Sequence, residues 1–588
     1  MAPSSASPAL TGPPIDYKLP DTFNFASDVI DKWAQDPSLK AMIWTSRQGI
    51  GSSVSSRRDL TYEDFSERSH RVAKWLGETL GITKGDRIMI MLPRVAAWWD
   101  VLLATIRIGA VIIPCTTLLT PKDIEYRLSV GHAKVFVTDK AGAMKLTKVQ
   151  NKGTLSINIL VEEDGSTFPG WHSFYEGVER NTKTGDRVPN LRTTRKDPCI
   201  IYFTSGTTGY PKMVLHNHIS YPLALKFHGQ YWYRLSPHKV FWNLSENGWA
   251  KAAWATFGTW NMGATLFIQD DRGAFSVDNL IDTLHNFEIT HLCAPPTSFR
   301  QLVLPEKLNL MTGPRKPKAL TNCLAGGEAL NPYVTEIWKK TMGMDIHEAY
   351  GQTETTLVCA SIIGYDVRPG SMGVANPTVP FAIIDDEGNI LPTNKEGNIA
   401  ILTSKEPRLP WLFDGYVQAS GELVLPELIN PKTGQRWFLS GDRAVCDEDG
   451  YYWFVGRSDD VINTAGYRVG PFEIESCLKE HPAVIESAVV TSPDKQRGEI
   501  IKAFIVLTDE YKKRLQGQGN TQKAEMELAK EIENFVAENT APYKKPREIE
   551  FVDTLPKTIS GKIKRVELRA TERQRKGVDT RLGKGAKL

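Results

Sequence analysis

Paired cysteines are missing from this chain. Its seven cysteines (115, 199, 293, 323, 359, 446 and 477) are scattered, with no CxxC pair. An odd, unclustered set argues against a zinc site or a disulfide framework and for a reducing compartment. Long apolar runs are missing too. The most apolar stretch, Val101 to Cys115, contains Arg107 and falls short of a membrane span. It reads as a buried helix followed by a strand, Gly109–Pro114. The first fifteen residues are rich in Pro, Ser and Ala and lack Lys and Arg, so neither a signal peptide nor an Arg-rich transit helix is expected. The GxxxxGK[ST] phosphate loop occurs nowhere, and no Ser–His or Cys–His nucleophile pair is evident. His216-Asn-His218 has no third ligand near in sequence and reads as a helix-start feature.

A strong excess of either charge is also missing. The net charge is +3, with 41% hydrophobic and 24% charged residues, ordinary values for a soluble globular protein. The distribution is less even: residues 541–588 carry fourteen Lys and Arg against six Asp and Glu, so the tail is +8 and the remainder −5. A solvated terminal face that meets polyphosphate or a receptor accounts for this better than nucleic-acid binding. The last three residues, Ala586-Lys-Leu588, are a close variant of the Ser-Lys-Leu address read by the peroxisomal import receptor. Peroxisomal import is expected, with a cytoplasmic or mitochondrial location as the alternative.

At 588 residues the chain exceeds one ordinary core. Residues 1–25 read as a flexible extension. The helical spacing of Thr61–Leu76, the buried strand Asp86–Leu92 and the short strand Lys134–Thr138 begin a strand–helix alternation that continues to about residue 380 and implies α/β layers. Short β-like runs dominate from about 380 to 455. Beyond Asp459-Asp460 come a helix (473–481), strands (485–490 and 502–507) and a helix (521–538), a small α+β domain. The expected division is 26–458, 459–575 and a flexible tail, 576–588.

The chemistry is concentrated in six ordered segments. Tyr202-Phe-Thr-Ser-Gly-Thr-Thr-Gly-Tyr-Pro-Lys212 places small and hydroxylated residues (Thr204, Ser205, Gly206, Thr207, Thr208, Gly209) after an apolar run and closes on a cation, Lys212. Free-curling backbone, hydroxyl donors and a point charge make a phosphate cradle. Tyr350-Gly-Gln-Thr-Glu354, Gly441-Asp-Arg443, Gly456-Arg-Ser-Asp-Asp-Val-Ile-Asn463, Gly466-Tyr-Arg-Val-Gly470 and Pro556-Lys-Thr-Ile-Ser-Gly-Lys562 follow. Each alone could be an ordinary turn or ion pair.

Together, in this order, the six resemble the adenylate-forming superfamily of acyl-CoA synthetases, firefly-type luciferases and peptide-synthetase adenylation domains, and most of all its medium-chain acyl-CoA synthetases. The likeness runs from about residue 60 to about 570. It implies a large multi-subdomain α/β core, with two doubly wound-like sheets and a small β subdomain, and a mobile small α+β C-terminal domain. It implies ATP, Mg2+ and coenzyme A, and a carboxylic acid that is itself the nucleophile, so the protein supplies positioning and charge.

By the same resemblance, Thr204 to Lys212 hold the β- and γ-phosphates, Glu354 ligates Mg2+, Thr353 meets the α-phosphate and Tyr350 stacks on adenine, with Gly351 and Gln352 beside it. Gly326-Gly327-Glu328 line the adenine side. Asp442 takes the ribose hydroxyls, with Arg457 as a second ribose or hinge-side residue. Lys562 serves adenylation; the small domain then swings about Asp459 and presents Gly466-Tyr467-Arg468 to CoA. Lys562, Thr204 and Glu354 form the catalytic set.

For the acyl group, Gly351 stands where acetyl-CoA synthetases place a plugging Trp, which implies an acid longer than acetate. Trp249 reads as core or pocket lining. Medium-chain enzymes read Asp-Thr-Gly-Trp where this chain reads Glu246-Asn-Gly-Trp249, so chain-length preference is open, with acetyl-, propionyl- and aromatic-acid ligases as alternatives. Rival readings are a luciferase-type oxygenase, a peptide-synthetase module (no carrier segment follows) and a non-catalytic nucleotide-binding protein, which the presence of Glu354 and Lys562 opposes.

Overall fold

Strands in this protein form where β-branched and other apolar residues run without interruption, as in Arg87–Met91, Val111–Pro114 and Val135–Thr138. Such runs suit parallel strands covered on both faces, and these three do pair in parallel. The computed structural model describes residues 19–47, 51–204, 211–273, 275–403, 412–460, 462–464, 467–494, 498–516, 521–541, 544–558 and 562–577. They fall into two compact units: the chain to Pro380 with Leu402–Glu427, and Phe381–Ile401 with the chain from Leu428 on.

The first unit holds two nine-stranded sheets. One runs through Val240–Asn243, His291–Ala294, Asn322–Gly326 and Ile346–Gln352 in parallel, then turns antiparallel at Thr356–Ala360. Its core is Trp242, Leu292, Cys323 and Phe267 with the helices Val277–Asn286 and Pro332–Met342. The other has Arg87–Met91 beside Val111–Pro114 and Val135–Thr138, and continues through Pro198–Thr204, Lys212–Asn217 and Gly415–Val417. Helices start at capping boxes, Thr61 with Asp64 and Thr120 with Asp123, which satisfy otherwise orphaned N–H groups.

Residues 23–25, expected within a flexible extension 1–25, are anchored. Phe23 and Thr193 exchange backbone hydrogen bonds, Asn24 donates to Ile106 O and Leu191 O, and Phe25 is fully buried. The Pro- and Ser-rich composition upstream hid an anchored Phe-Asn-Phe segment.

The second unit contains a five-stranded sheet of Phe381–Ile384, Gly397–Leu402, Arg436–Cys446, Leu428–Ile429 and Tyr452–Arg457. The β-rich segment from about 380 thus falls mainly in this unit. With it go a hairpin, Ile462–Thr464 and Tyr467–Val469, and a three-stranded sheet, Val484–Asp494, Gly498–Leu507 and Glu548–Phe551. The helices Pro471–Leu478 and Thr521–Asn539 pack on that sheet through Ile474, Leu478, Leu528, Ile532 and Val536. Asp460, beside the expected hinge, is tied to Arg569 of the helix Arg565–Arg575.

One buried acid supports the strand that leads to Tyr350–Glu354. Glu348 accepts the Leu330 N–H at 3.0 Å, and burial pushes its pKa from 4.5 up to about 8. Folding therefore favours the protonated carboxyl. Its contribution is complete below the unfolded value and is lost as pH rises through about 8. Glu348→Gln keeps an acceptor oxygen and cannot ionise. Its unfolding midpoint, compared with that of the parent, is expected to rise steadily between about pH 5 and about pH 8. A difference that stays flat with pH would assign no ionisation cost to Glu348.

Candidate active site

The expected phosphate segment is flanked by two paired strands. Pro198–Thr204 and Lys212–Asn217 pair antiparallel with Thr204 directly opposite Lys212. Thr204 and Lys212 therefore stand at its neck. Ser205, Gly206, Thr207, Thr208 and Gly209, which connect them, lie outside the described residues.

Glu354 reaches this neck from the other sheet. The strand Ile346–Gln352 ends in a turn, Thr353–Thr355, and returns as Thr356–Ala360. The motif is a strand-to-strand turn. Three contacts pin it. His216 Nε2–H donates to Thr353 O at 2.7 Å, the Phe413 N–H donates to Glu354 O at 2.7 Å, and Tyr416 Oη–H donates to Glu354 Oε1 at 3.0 Å. Lys212 Nζ lies 4.8 Å from the centroid of the same Tyr416 ring. His216 is buried and stacked on Tyr221, and burial pushes its pKa down to about 4, so it is a neutral donor. Asn217 Oδ1 accepts from the Ile219 and Ser220 N–H groups at the start of the next helix, the helix-start role expected for this stretch.

The adenine-side residues join through neighbouring strands. Gly326 is paired with Ala349, one residue before Tyr350. Gly327 has φ +101° with open space where a Cβ would point, a conformation suited to glycine. Glu328 is exposed and lies 4.0 Å from Arg300. Lys251, on the helix Ala250–Asn261, donates to Gly326 O at 2.7 Å. It follows Trp249 by two residues, and its partner lies 75 residues away in sequence, so no local pattern marks it.

The acyl-wall candidates have structural causes of their own. Gly248 lies against backbone: a Cβ there would fall 2.2 Å from Thr116 N. Glu246 accepts from Thr116 Oγ1 at 2.7 Å and from the Thr117 N–H at 3.0 Å. The Glu-Asn-Gly-Trp departure is thus accommodated by a partner strand end about 130 residues away. Trp249, in extended backbone, immediately precedes the helix Ala250–Asn261. At Gly351, a Cβ would fall 1.8 Å from Thr356 O, because Thr356 takes φ +52° just past the turn.

In the second unit, Asp442 is buried opposite Arg457 in the paired strands Arg436–Cys446 and Tyr452–Arg457. Arg457 Nε lies 3.5 Å from both Asp442 Oδ1 and Asp459 Oδ1, so three expected residues meet there. Lys562 is exposed on a turn closed by Thr558 N–H to Lys562 O at 2.7 Å and Lys562 N–H to Thr558 Oγ1 at 3.1 Å. Tyr467 pairs with Thr464 and Arg468 with Asn463 in backbone register, while Gly466 lies outside the described residues.

Other chemistries find little support. All seven cysteines are free, and six are buried; burial pushes the Cys115 thiol up to about 12 and that of Cys477 up to about 11, the reverse of a reactive thiolate. Among the described residues no group of three His, Cys, Asp or Glu side chains could cage a metal. A lone carboxylate such as Glu354 fits a hard cation that takes its remaining oxygens from phosphates and water. A separate groove of about 750 Å3, lined by Arg47, Asp139, Glu163, Asp270 and Arg272 among others, has its two arginines already paired with Asp282 and Asp270.

A cation at a strand end, a pinned carboxylate meeting the same tyrosine, and a glycine on the neighbouring strand thus come together in the first unit. The family model described as AMP-binding enzyme matches residues 31–417, and that described as AMP-binding enzyme C-terminal domain matches residues 473–562. The chain belongs to the AMP-binding enzyme family. It is 41% identical over 561 residues to the human acyl-coenzyme A synthetase ACSM5, mitochondrial, covering 94% of this chain and 91% of that one. The rat acyl-coenzyme A synthetase ACSM4, mitochondrial, is likewise 41% identical over 563 residues, with 94% and 91% covered. Among solved structures, the Brucella canis acyl-CoA synthetase is similar with a TM-score of 0.67 and 31% identity over 94% of this chain and 95% of that one. The anthranilate CoA ligase AuaEII in complex with anthranoyl-AMP gives a TM-score of 0.78 at 26% identity over 95% and 99%.

Since any side chain at 351 meets a carbonyl, Gly351→Ala is expected to destabilise the fold by about 1–3 kcal/mol, lowering the unfolding midpoint and activity together. Thermal unfolding beside an acid-preference profile checks this. An unchanged midpoint with a shifted profile would make position 351 a pocket floor alone.

Proposed function

We infer that this protein is an AMP-forming acyl-CoA synthetase that uses ATP, Mg2+ and coenzyme A to activate a monocarboxylic acid. The observation that carries this reading is the convergence of Lys212 and Glu354 on Tyr416, within the segment matched by the AMP-binding enzyme model. The acid's own oxygen attacks the α-phosphorus of ATP, its bond to pyrophosphate breaks, and the CoA thiol then displaces AMP from the acyl group. Lys212 and Thr204 receive the phosphates, Thr353 meets the α-phosphate, and Glu354 would hold Mg2+, which would supply positive charge for the departing phosphates. Tyr350 and Gly326–Glu328 take the base, and Asp442 with Arg457 takes the ribose. Lys562, a point charge on an exposed turn, serves the first half-reaction, and Gly466-Tyr467-Arg468 the second, with a pivot at Asp459.

For the acid, we propose medium-chain or short branched acids longer than acetate. The support is the absence of a bulky side chain at 351. Because Gly351 also answers to Thr356 O, the choice among linear, branched and aromatic acids rests on measurement. For the compartment, the mitochondrial names of the relatives favour the mitochondrial alternative over the peroxisomal address expected from Ala586-Lys-Leu588, which lies outside the described residues. Fractionation with and without the last three residues decides: a peroxisomal signal that needs them returns the peroxisomal reading.

Pyrophosphate release is expected with a panel of acetate, butyrate, isobutyrate, hexanoate, octanoate, benzoate and phenylacetate, with CoA-dependent turnover peaking above acetate. Silence across the panel would overturn the synthetase reading. Lys562→Ala should cut acyl-adenylate formation by about 100-fold or more while sparing thioester formation from preformed acyl-adenylate. Equal loss in both half-reactions would remove Lys562 from the role given to it.

A further inference from the structure

We propose that Tyr416 is a positioning residue for ATP activation, its hydroxyl orienting the Glu354 carboxylate and its ring face holding the Lys212 ammonium. The inference rests on the reading of Glu354 as the Mg2+ ligand and Lys212 as the phosphate cation, and it adds a residue that none of the six sequence segments contains. The strand register produces the arrangement. Gly415–Val417 pairs antiparallel with Lys212–Asn217, and Tyr416 lies opposite Val214. Residues directly opposite share a face of the sheet, and so do residues two apart on one strand. Tyr416 and Lys212 are therefore diagonal neighbours on one face, within reach of an aromatic ring.

The observed contacts follow from that register. Lys212 Nζ stands 4.8 Å from the ring centroid, inside the range at which the ring quadrupole attracts a cation. The hydroxyl projects beyond the ring to Glu354 Oε1 at 3.0 Å. Phe413 fixes the ring from its edge, with centroids 4.8 Å apart at 66°. The Phe413 N–H also holds the Glu354 carbonyl. One short segment, Phe413–Tyr416, thus positions the backbone of Glu354, its carboxylate and the lysine of the neighbouring strand. A hydrogen bond to an ionised carboxylate is stronger than a neutral one, and it sets the orientation the carboxylate presents to a hard cation. The ring limits the rotamers of a lysine that would otherwise lose that freedom only on binding phosphate.

Calorimetric titration of ATP into the full-length protein, with and without Mg2+, tests the assignment without relying on turnover. Tyr416→Phe removes the hydroxyl and keeps the ring. It should reduce the Mg2+-dependent gain in ATP affinity about tenfold, leaving metal-free ATP binding and the unfolding midpoint unchanged. Tyr416→Leu removes both and should also weaken metal-free binding by about threefold. Glu354→Gln is the control. If it loses the Mg2+-dependent gain while Tyr416→Phe keeps it in full, the role of Tyr416 is overturned and the metal-ligand reading stands. If Glu354→Gln keeps the gain, the metal-ligand reading fails and the proposal falls with it. A Tyr416→Phe variant with a lowered midpoint and an unaltered Mg2+ response would make Tyr416 structural only, which also overturns the proposal.

Discussion

Two strands and one turn hold the site together. The turn Thr353–Thr355 joins Ile346–Gln352 to Thr356–Ala360, and nothing local directs its carboxylate toward Tyr416. That orientation is imposed from the other sheet, by His216 on Thr353 O, by the Phe413 N–H on Glu354 O and by Tyr416 on the carboxylate itself. Backbone carbonyls seldom tolerate burial without a donor. The two pinned carbonyls therefore fix the relation between the sheets as well as the place of Glu354.

The chemistry that follows from this constraint is electrostatic. His216, kept neutral by burial, is committed as a donor to Thr353 O, and burial raises the thiols of Cys115 and Cys477. Cations and one carboxylate provide charge at fixed positions, which is what a reaction between a carboxylate and a polyphosphate requires. Lys212 stands at a strand end and Lys562 on an exposed turn. The first is positioned by the sheet; the second keeps the freedom of its stem. Asp442, Arg457 and Asp459 form a third charged group within the second unit, where the buried Asp442 is matched by an arginine across a strand pair.

Much of this was legible before any fold was known, and the reasons differ by residue. Asp86–Leu92, Gly109–Pro114 and 502–507 read as strands because uninterrupted apolar runs carry their own signal, and the structure has strands at Arg87–Met91, Val111–Pro114 and Gly498–Leu507. Thr204, Lys212 and Glu354 were legible because each lies in a segment whose residue types already suit an anion or a hard cation. Tyr416 was not. It stands in Phe413-Asp-Gly-Tyr416, a stretch with no composition signal, and its value comes from pairing with a strand about two hundred residues earlier. Lys251 and the partners of Glu246 were hidden for the same reason. The glycine at 351 was read for the space it leaves, whereas Thr356 O explains why glycine stands there.

The sequence by itself determined the chemical vocabulary: hydroxylated residues and glycines closing on a lysine, a carboxylate in Tyr350–Glu354, a glycine pair before Glu328 and a lysine in a late Gly-containing segment. Local backbone preference and side-chain charge are encoded residue by residue, so these features needed no fold. Only the tertiary structure decided which groups face one another. Strand register across the two nine-stranded sheets brought Lys212, Tyr416 and Glu354 together. It also brought Thr116 and Thr117 to Glu246 and buried Asn24 and Phe25. Register is a collective property of hydrogen-bonded neighbours, and no single segment of the chain contains it.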